Sequence, residues 1–172
     1  MLALGAVATR EGVCYFTGGA TAVLLGWRGT TIDVDVALAP EQDEVLRALT
    51  KIKDELRVNV ELASPGDFIP LPRGWQERSL SIRREGRLSF RHFDLYSQAL
   101  AKLERGHGRD LEDVRAMVAS GLVDPVRMLA CFDEIEAELY RFPAIDPPSF
   151  RRRVETAFSL GQARERGREP EL

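Results

Sequence analysis

Between Thr31 and Leu38 the chain alternates without a break: Ile32, Val34, Val36 and Leu38 fall on one side, and Asp33, Asp35 and Ala37 on the other. Successive side chains of a strand point to opposite faces, so this segment reads as a strand with one apolar and one acidic face. Its two carboxylates project the same way, about 7 Å apart at the backbone. Just upstream, Val13–Thr17 (VCYFT) reads as a short buried strand that Gly18-Gly19 breaks, and ATAVLLG as a short buried helix ending near Gly26.

After Pro40 a helix is expected over EQDEVLRALTKIKDEL, with Val45, Leu49, Ile52 and Leu56 at helical spacing. RVNVELA then alternates again, Val58, Val60 and Leu62 lying opposite Asn59 and Glu61. If the two alternating strands are neighbours, Asp33, Asp35 and Glu61 converge on one surface. Such a cluster repels itself at neutral pH unless a cation neutralises it or a proton stays on. A hard divalent ion with oxygen ligands, Mg²⁺ or Mn²⁺, suits it. Paired acids can also hold two ions about 3.5–4 Å apart, aligning an attacking hydroxyl with a leaving pyrophosphate. The plainer reading is that Asp33 and Asp35 form the wet face of an edge strand. Gly18-Gly19 shifts the balance, because glycines at a strand-to-helix turn let backbone N–H groups approach a phosphate.

SPGDFIPLPRGW is rich in Pro and Gly and reads as a loop, and Leu80–Ile82 with Leu88–Phe90 flank RREG as a β-hairpin. From Asp94 the pattern is helical, with segments DLYSQALAKLERG, RDLEDVRAMVASG, DPVRMLACFDEIEAELYRF and PPSFRRRVETAFSL. The expected organisation is an α/β core over residues 1–93, a helical half over 94–160, and a frayed tail over 161–172. Lys102 falls on the apolar stripe of Leu95, Ala99 and Leu103, so it either snorkels outward or reaches an anion between the two halves. Asp110 reads as a helix N-cap and Asp113 as a charge near the helix start, or one of them serves as a base or holds Lys102 in place.

Composition bounds the rest. The 172 residues are 44% hydrophobic and 30% charged, ordinary for a globular protein. A net charge of −3, from 24 basic and 27 acidic side chains, gives no general pull toward nucleic acid. A local basic patch stays open at Arg73, Arg78, Arg83, Arg84, Arg87 and Arg91, and those around the hairpin either guide a phosphate-bearing acceptor or pair with nearby acids. Cys14 and Cys131 lack ligand spacing and are expected as reduced buried thiols. No apolar run reaches bilayer length and the N-terminus has no signal-peptide pattern, so a cytoplasmic protein is expected, with no membrane partner.

TGGATAVLLGWRGTTIDVDV resembles the signature of the polymerase-β-like nucleotidyltransferase superfamily: Gly-Gly, a short helix, then Asp-x-Asp between apolar residues. KLERGHGRDLEDV is similar to the Lys…Arg-Asp-x-x-Asp region of the AbiEii and MenT toxin-like branch, and the TGGATAVLLGWR, ELASPGDFIPLP and FPAIDP segments are similar to small bacterial nucleotidyltransferase-like proteins. The resemblance runs from about Val13 to Phe158. It implies a nucleotidyltransferase fold, a mixed β-sheet flanked by helices and followed by a C-terminal helical bundle. It also implies that Gly18 and Gly19 hold the phosphates of an NTP, that Asp33 and Asp35 ligate Mg²⁺ with Glu61 as third carboxylate, and that Lys102 contacts the triphosphate. Asp110 or Asp113 matches a late acidic position. Ala20-Thr21 replaces the serine common after Gly-Gly, so Thr21 or the backbone must serve. The implied activity is nucleotide transfer to a hydroxyl of RNA, transfer RNA included, or of protein, within a toxin–antitoxin pair. The alternative is an inactive nucleotide-binding or antitoxin-like regulatory module. The stretch before Val13 is short for a full leading helix, which leaves one edge exposed or used in dimerisation; the implied protein partner is an antitoxin or a second copy.

Overall fold

The computed structural model describes residues 1–166. Their contacts divide the chain into two compact units, one of residues 1–67 and 74–98, the other of 68–73 and from 99 onward. The division falls inside a helix.

In the first unit the elements run α1 (Leu2–Val7), β1 (Gly12–Thr17), α2 (Gly18–Leu24), β2 (Asp33–Ala39), α3 (Asp43–Leu56), β3 (Asn59–Leu62), a 3₁₀ turn at Pro65–Asp67, α4 (Trp75–Arg78), β4 (Ser81–Glu85) and β5 (Leu88–His92). The strands form one mixed sheet in the order β3-β2-β1-β5-β4. β1 runs antiparallel to β2 and parallel to β5, β2 runs parallel to β3, and β4 and β5 form the antiparallel hairpin. A parallel neighbour cannot be reached through a tight turn. α3 supplies the crossover from β2 to β3, and Arg57 (φ 53) ends it in the left-handed region before the chain enters β3.

One face of the sheet carries the core. Cys14 and Phe16 of β1, Val36 of β2, and Leu88 and Phe90 of β5 pack with Leu4 of α1, Ala20 of α2, and Val45 and Leu49 of α3. These positions are the apolar phase of each strand, so burial selects the register: a slip of one residue would turn the acids inward. Val34 and Leu38 join this cluster, but Ile32 lies before β2 and is 71% exposed. The N-terminal stretch does form a helix, only six residues long, and Leu4 anchors it. Cys14 and Cys131 are both free and buried, and burial pushes the Cys14 thiol up to about 12.

In the second unit, α5 (Leu95–Arg105, its first turn belonging to the first unit) leads to α6 (Gly108–Ala119), α7 (Pro125–Glu136), a 3₁₀ turn at Leu139–Arg141 and α8 (Pro147–Arg166). Val114, Met117, Met128, Phe132, Ile135 and Phe150 are buried, with Phe132 and Phe150 edge to face at 4.9 Å. Asp124 caps α7 by accepting from the Arg127 N–H, with Pro125 in its first turn, the arrangement expected of an Asp-Pro start. The third helical segment is shorter than its sequence suggests, because α7 stops at Glu136. Of the expected tail, 161–166 continue α8 and 167–172 lie outside the described residues. No helix among the described residues is long and apolar enough to cross a membrane.

Candidate functional site

The sheet face opposite the core gathers the acids. In the strand register Asp35 stands between Thr17 of β1 and Glu61 of β3, and Asp33 stands beside Asn59. Paired residues of neighbouring strands share a face, so Thr17, Asp35 and Glu61 form a row across three strands. The Asn59 amide bridges the row below to this one, donating to Glu61 Oε1 at 2.9 Å and to Asp33 Oδ1 at 3.3 Å. Asp33, Asp35 and Glu61 thus lie on one surface. Asp33 and Glu61 are exposed, and Asp35 is half-buried.

The glycine turn sits against this row. Gly18 adopts φ 59, and a β-carbon there would lie 2.6 Å from Asp35 Oδ2. Gly19 packs on the segment entering β2: its β-carbon would collide with Thr31 Oγ1 and lie 3.3 Å from the Asp33 carbonyl oxygen. Both glycines therefore have a reason inside the protein. Their missing side chains let the acidic strand and Thr31 close on the turn, where any other residue would place a methyl group. α2 has only seven residues, so its dipole is a minor contributor beside this close approach.

Beneath the turn lies a buried polar layer. Gln98 Oε1 accepts from the Gly18 N–H at 3.0 Å, and its Nε2 donates to the Phe93 carbonyl oxygen at 2.8 Å and to Thr21 Oγ1 at 3.4 Å. The Thr21 hydroxyl donates to the Phe16 carbonyl oxygen at 2.9 Å, and His92 Nδ1 lies 3.2 Å from it. With the threonine proton already given away, His92 Nδ1 is the donor. Burial holds the His92 pKa below its ordinary value. Thr21, expected at the phosphates, is fully buried and supports the turn from below. Asp94 is also enclosed. It takes two parallel hydrogen bonds from Arg78, each 3.0 Å, and accepts from the Ser97 N–H and hydroxyl in the first turn of α5.

Beyond Thr17 the same face turns aromatic. Tyr15 meets Trp75 and Phe93 at 5.2 and 5.6 Å, and Trp75 stacks flat on Phe93 at 4.3 Å. Burial raises the Tyr15 pKa, partly opposed by Arg91.

In the second unit Lys102 is buried rather than snorkelling. Its Nζ donates to Asp113 Oδ2 at 2.5 Å and to Asp110 Oδ1 at 3.2 Å, and Arg105 adds a 2.8 Å bond to Asp110. A buried ammonium is tolerated only with such partners. Asp110 is not the helix cap, since His107 holds that position. Arg83 pairs with Glu85, Arg84 pairs with Glu11 at 2.6 Å, and Arg78 is spent on Asp94, so three of the middle arginines have acidic partners.

Among the described residues no group of three or more His, Cys, Asp or Glu closes into a metal cage. Mg²⁺ rarely uses one: one or two carboxylates with water and substrate phosphates are its usual set. Asp33, exposed, and Asp35, half-buried against Gly18, share one face of the strand and are of the kind that requirement calls for.

A five-stranded mixed sheet with helices, and a glycine turn set against paired aspartates of the adjacent strand, define a nucleotidyltransferase-like fold. The chain belongs to the family described as "Nucleotidyltransferase of unknown function (DUF6036)", whose model matches residues 9–143. No curated protein and no solved structure matches it.

Proposed function

We propose that the chain is a divalent-metal-dependent nucleotidyltransferase that moves a nucleotide from an NTP to a hydroxyl acceptor, and that the first unit carries the reacting centre. The observation that supports this most is the pairing of Asp35 with Glu61 in register, beside a Gly18 that has room for nothing larger than hydrogen. Asp33 and Asp35 would ligate Mg²⁺ or Mn²⁺, which neutralises charge on the triphosphate and the entering oxygen. Gly18 and Gly19 bring the turn's backbone against the aspartates, beside which the phosphates would bind, with Gln98 and Thr21 holding the turn from beneath. The acceptor oxygen forms a bond to the α-phosphorus, the bond to the bridging α–β oxygen breaks, and pyrophosphate leaves. The hydroxyl proton passes to Glu61. In this reading the protein acts by positioning and charge, not through a covalent intermediate.

In the second unit the ion pairs favour Asp110 and Asp113 as the residues that hold Lys102, rather than as a base. The resemblance to the toxin-like branch extends the proposal to an RNA or protein acceptor and to an antitoxin partner. Titration calorimetry with Mg·NTP tests the first step: wild type binds, and Asp35→Asn binds at least tenfold more weakly. Equal affinity in both proteins would remove the site. Pyrophosphate release then separates an enzyme from an inactive binding module, which would bind nucleotide and release none.

A further inference from the structure

We propose that the free edge of β3 docks an extended protein segment, which adds to the sheet as a sixth strand and brings one of its side chains beside Glu61. β3 is the last strand of the sheet on its side. The N–H groups of Asn59 and Ala63 donate inward, to the carbonyl oxygens of Ile32 and Val36. Strand residues alternate in direction, so the N–H and C=O groups of Val60 and Leu62 turn outward, where they can pair with an added strand. Below this edge lies a groove of about 330 Å³ lined by Leu46, Leu49, Lys53, Val60, Glu61 and Leu62, and Leu62 is 54% exposed.

The geometry dictates the occupant. In an added strand, the residue opposite Glu61 shares its face and lies one strand spacing, about 4.8 Å, from it and two spacings from Asp35. The residues before and after it point to the other face, into the apolar groove. The segment that fits therefore alternates, with apolar residues toward Leu46, Leu49 and Leu62 and hydroxyl or basic residues toward the carboxylates. Charge favours a protein over RNA here. Asp33, Asp35 and Glu61 line the face that the segment would join, whereas Arg83 and Arg84 sit on β4 at the other end of the sheet and are paired with Glu85 and Glu11. Main-chain pairing supplies affinity in such strand addition, and the alternate side chains supply selection. The surface stands on its own geometry. Only the consequence that a hydroxyl opposite Glu61 becomes the acceptor rests on the nucleotidyl-transfer reading.

Fluorescence anisotropy on the full chain tests it with two labelled peptides of one composition: KVTVTVK, which alternates, and KTVVVTK, which does not. Wild type binds the first at least tenfold more tightly. Leu62→Pro, which removes an outward N–H without touching the ladder to β2, and Leu62→Lys, which keeps the backbone and charges the groove, each abolish that preference. Both variants bind Mg·ATP within twofold of wild type. Equal binding of the two peptides, an unchanged preference in both variants, or displacement of KVTVTVK by an oligouridylate heptamer overturns the docking surface. If the peptide results hold while wild type binds no nucleotide, the docking surface stands and the transferase reading falls.

Discussion

Asp35 lies against Gly18 so closely that a β-carbon at position 18 would be 2.6 Å from its Oδ2. Glycine is thus required twice at this position, by φ 59 and by the neighbouring carboxylate. Gly18→Ala should lower stability by about 1–3 kcal/mol through backbone strain and should weaken Mg·NTP binding beyond that loss. Gly29→Ala, with nothing within 4 Å, should leave the melting temperature and nucleotide affinity unchanged. Thermal melts and calorimetry on the pair check both, and equal behaviour of the two variants would contradict the assignment.

Gln98 accepts the Gly18 N–H from a buried position. Gln98→Ala should leave that donor unsatisfied at a cost of about 1–3 kcal/mol. Its amide-exchange signature is specific: protection should fall at Gly18 before it falls at the middle of β1, which hydrogen exchange resolves.

The buried trio of the second unit predicts an order of damage. Lys102→Ala strands two buried carboxylates and should cost about 3–5 kcal/mol. Asp113→Asn removes the closer partner but leaves Asp110 at 3.2 Å, so about 2 kcal/mol is expected. Asp110→Asn should cost least. Urea unfolding midpoints give the ranking directly.

His92 predicts a dependence on pH. Its folded pKa lies below the ordinary 6.5 because burial disfavours the imidazolium, so the unfolded chain binds the proton more readily. The stability it contributes is complete above 6.5 and is lost as pH falls through that value toward the lowered one. His92→Gln, which keeps a donor for Thr21, should flatten the fall in melting temperature between pH 7 and 5.

Much of this arrangement was legible in the chain because alternation reports a strand's two faces at once. Asp33, Asp35, Asn59 and Glu61 all fall into the polar phase of their strands, whichever strands are neighbours. That they are neighbours, and in which register, depends on the α3 crossover and the packing of Val36 and Val60, which no local pattern encodes. Thr21 and Gln98 show the opposite failure. A threonine after Gly-Gly suggests a phosphate contact, but the direction of its hydroxyl is set by Phe16, His92 and Gln98, which converge only in the folded sheet. The helix at Leu2–Val7 is not legible in the chain because six residues are too few to show periodicity; tertiary contact through Leu4 stabilises it, not propensity. Ile32 kept the alternation in sequence yet sits outside β2, where strand geometry no longer dictates burial.

The long return that a parallel partner demands has a temporal consequence. A nascent chain ending before residue 57 already contains both aspartates and the glycine turn, but not the third carboxylate. The full acidic row can be assembled only once α3 has laid itself down and β3 has been synthesised, so the carboxylate proposed to take the proton joins the two aspartates last, after β1 and β2 have paired.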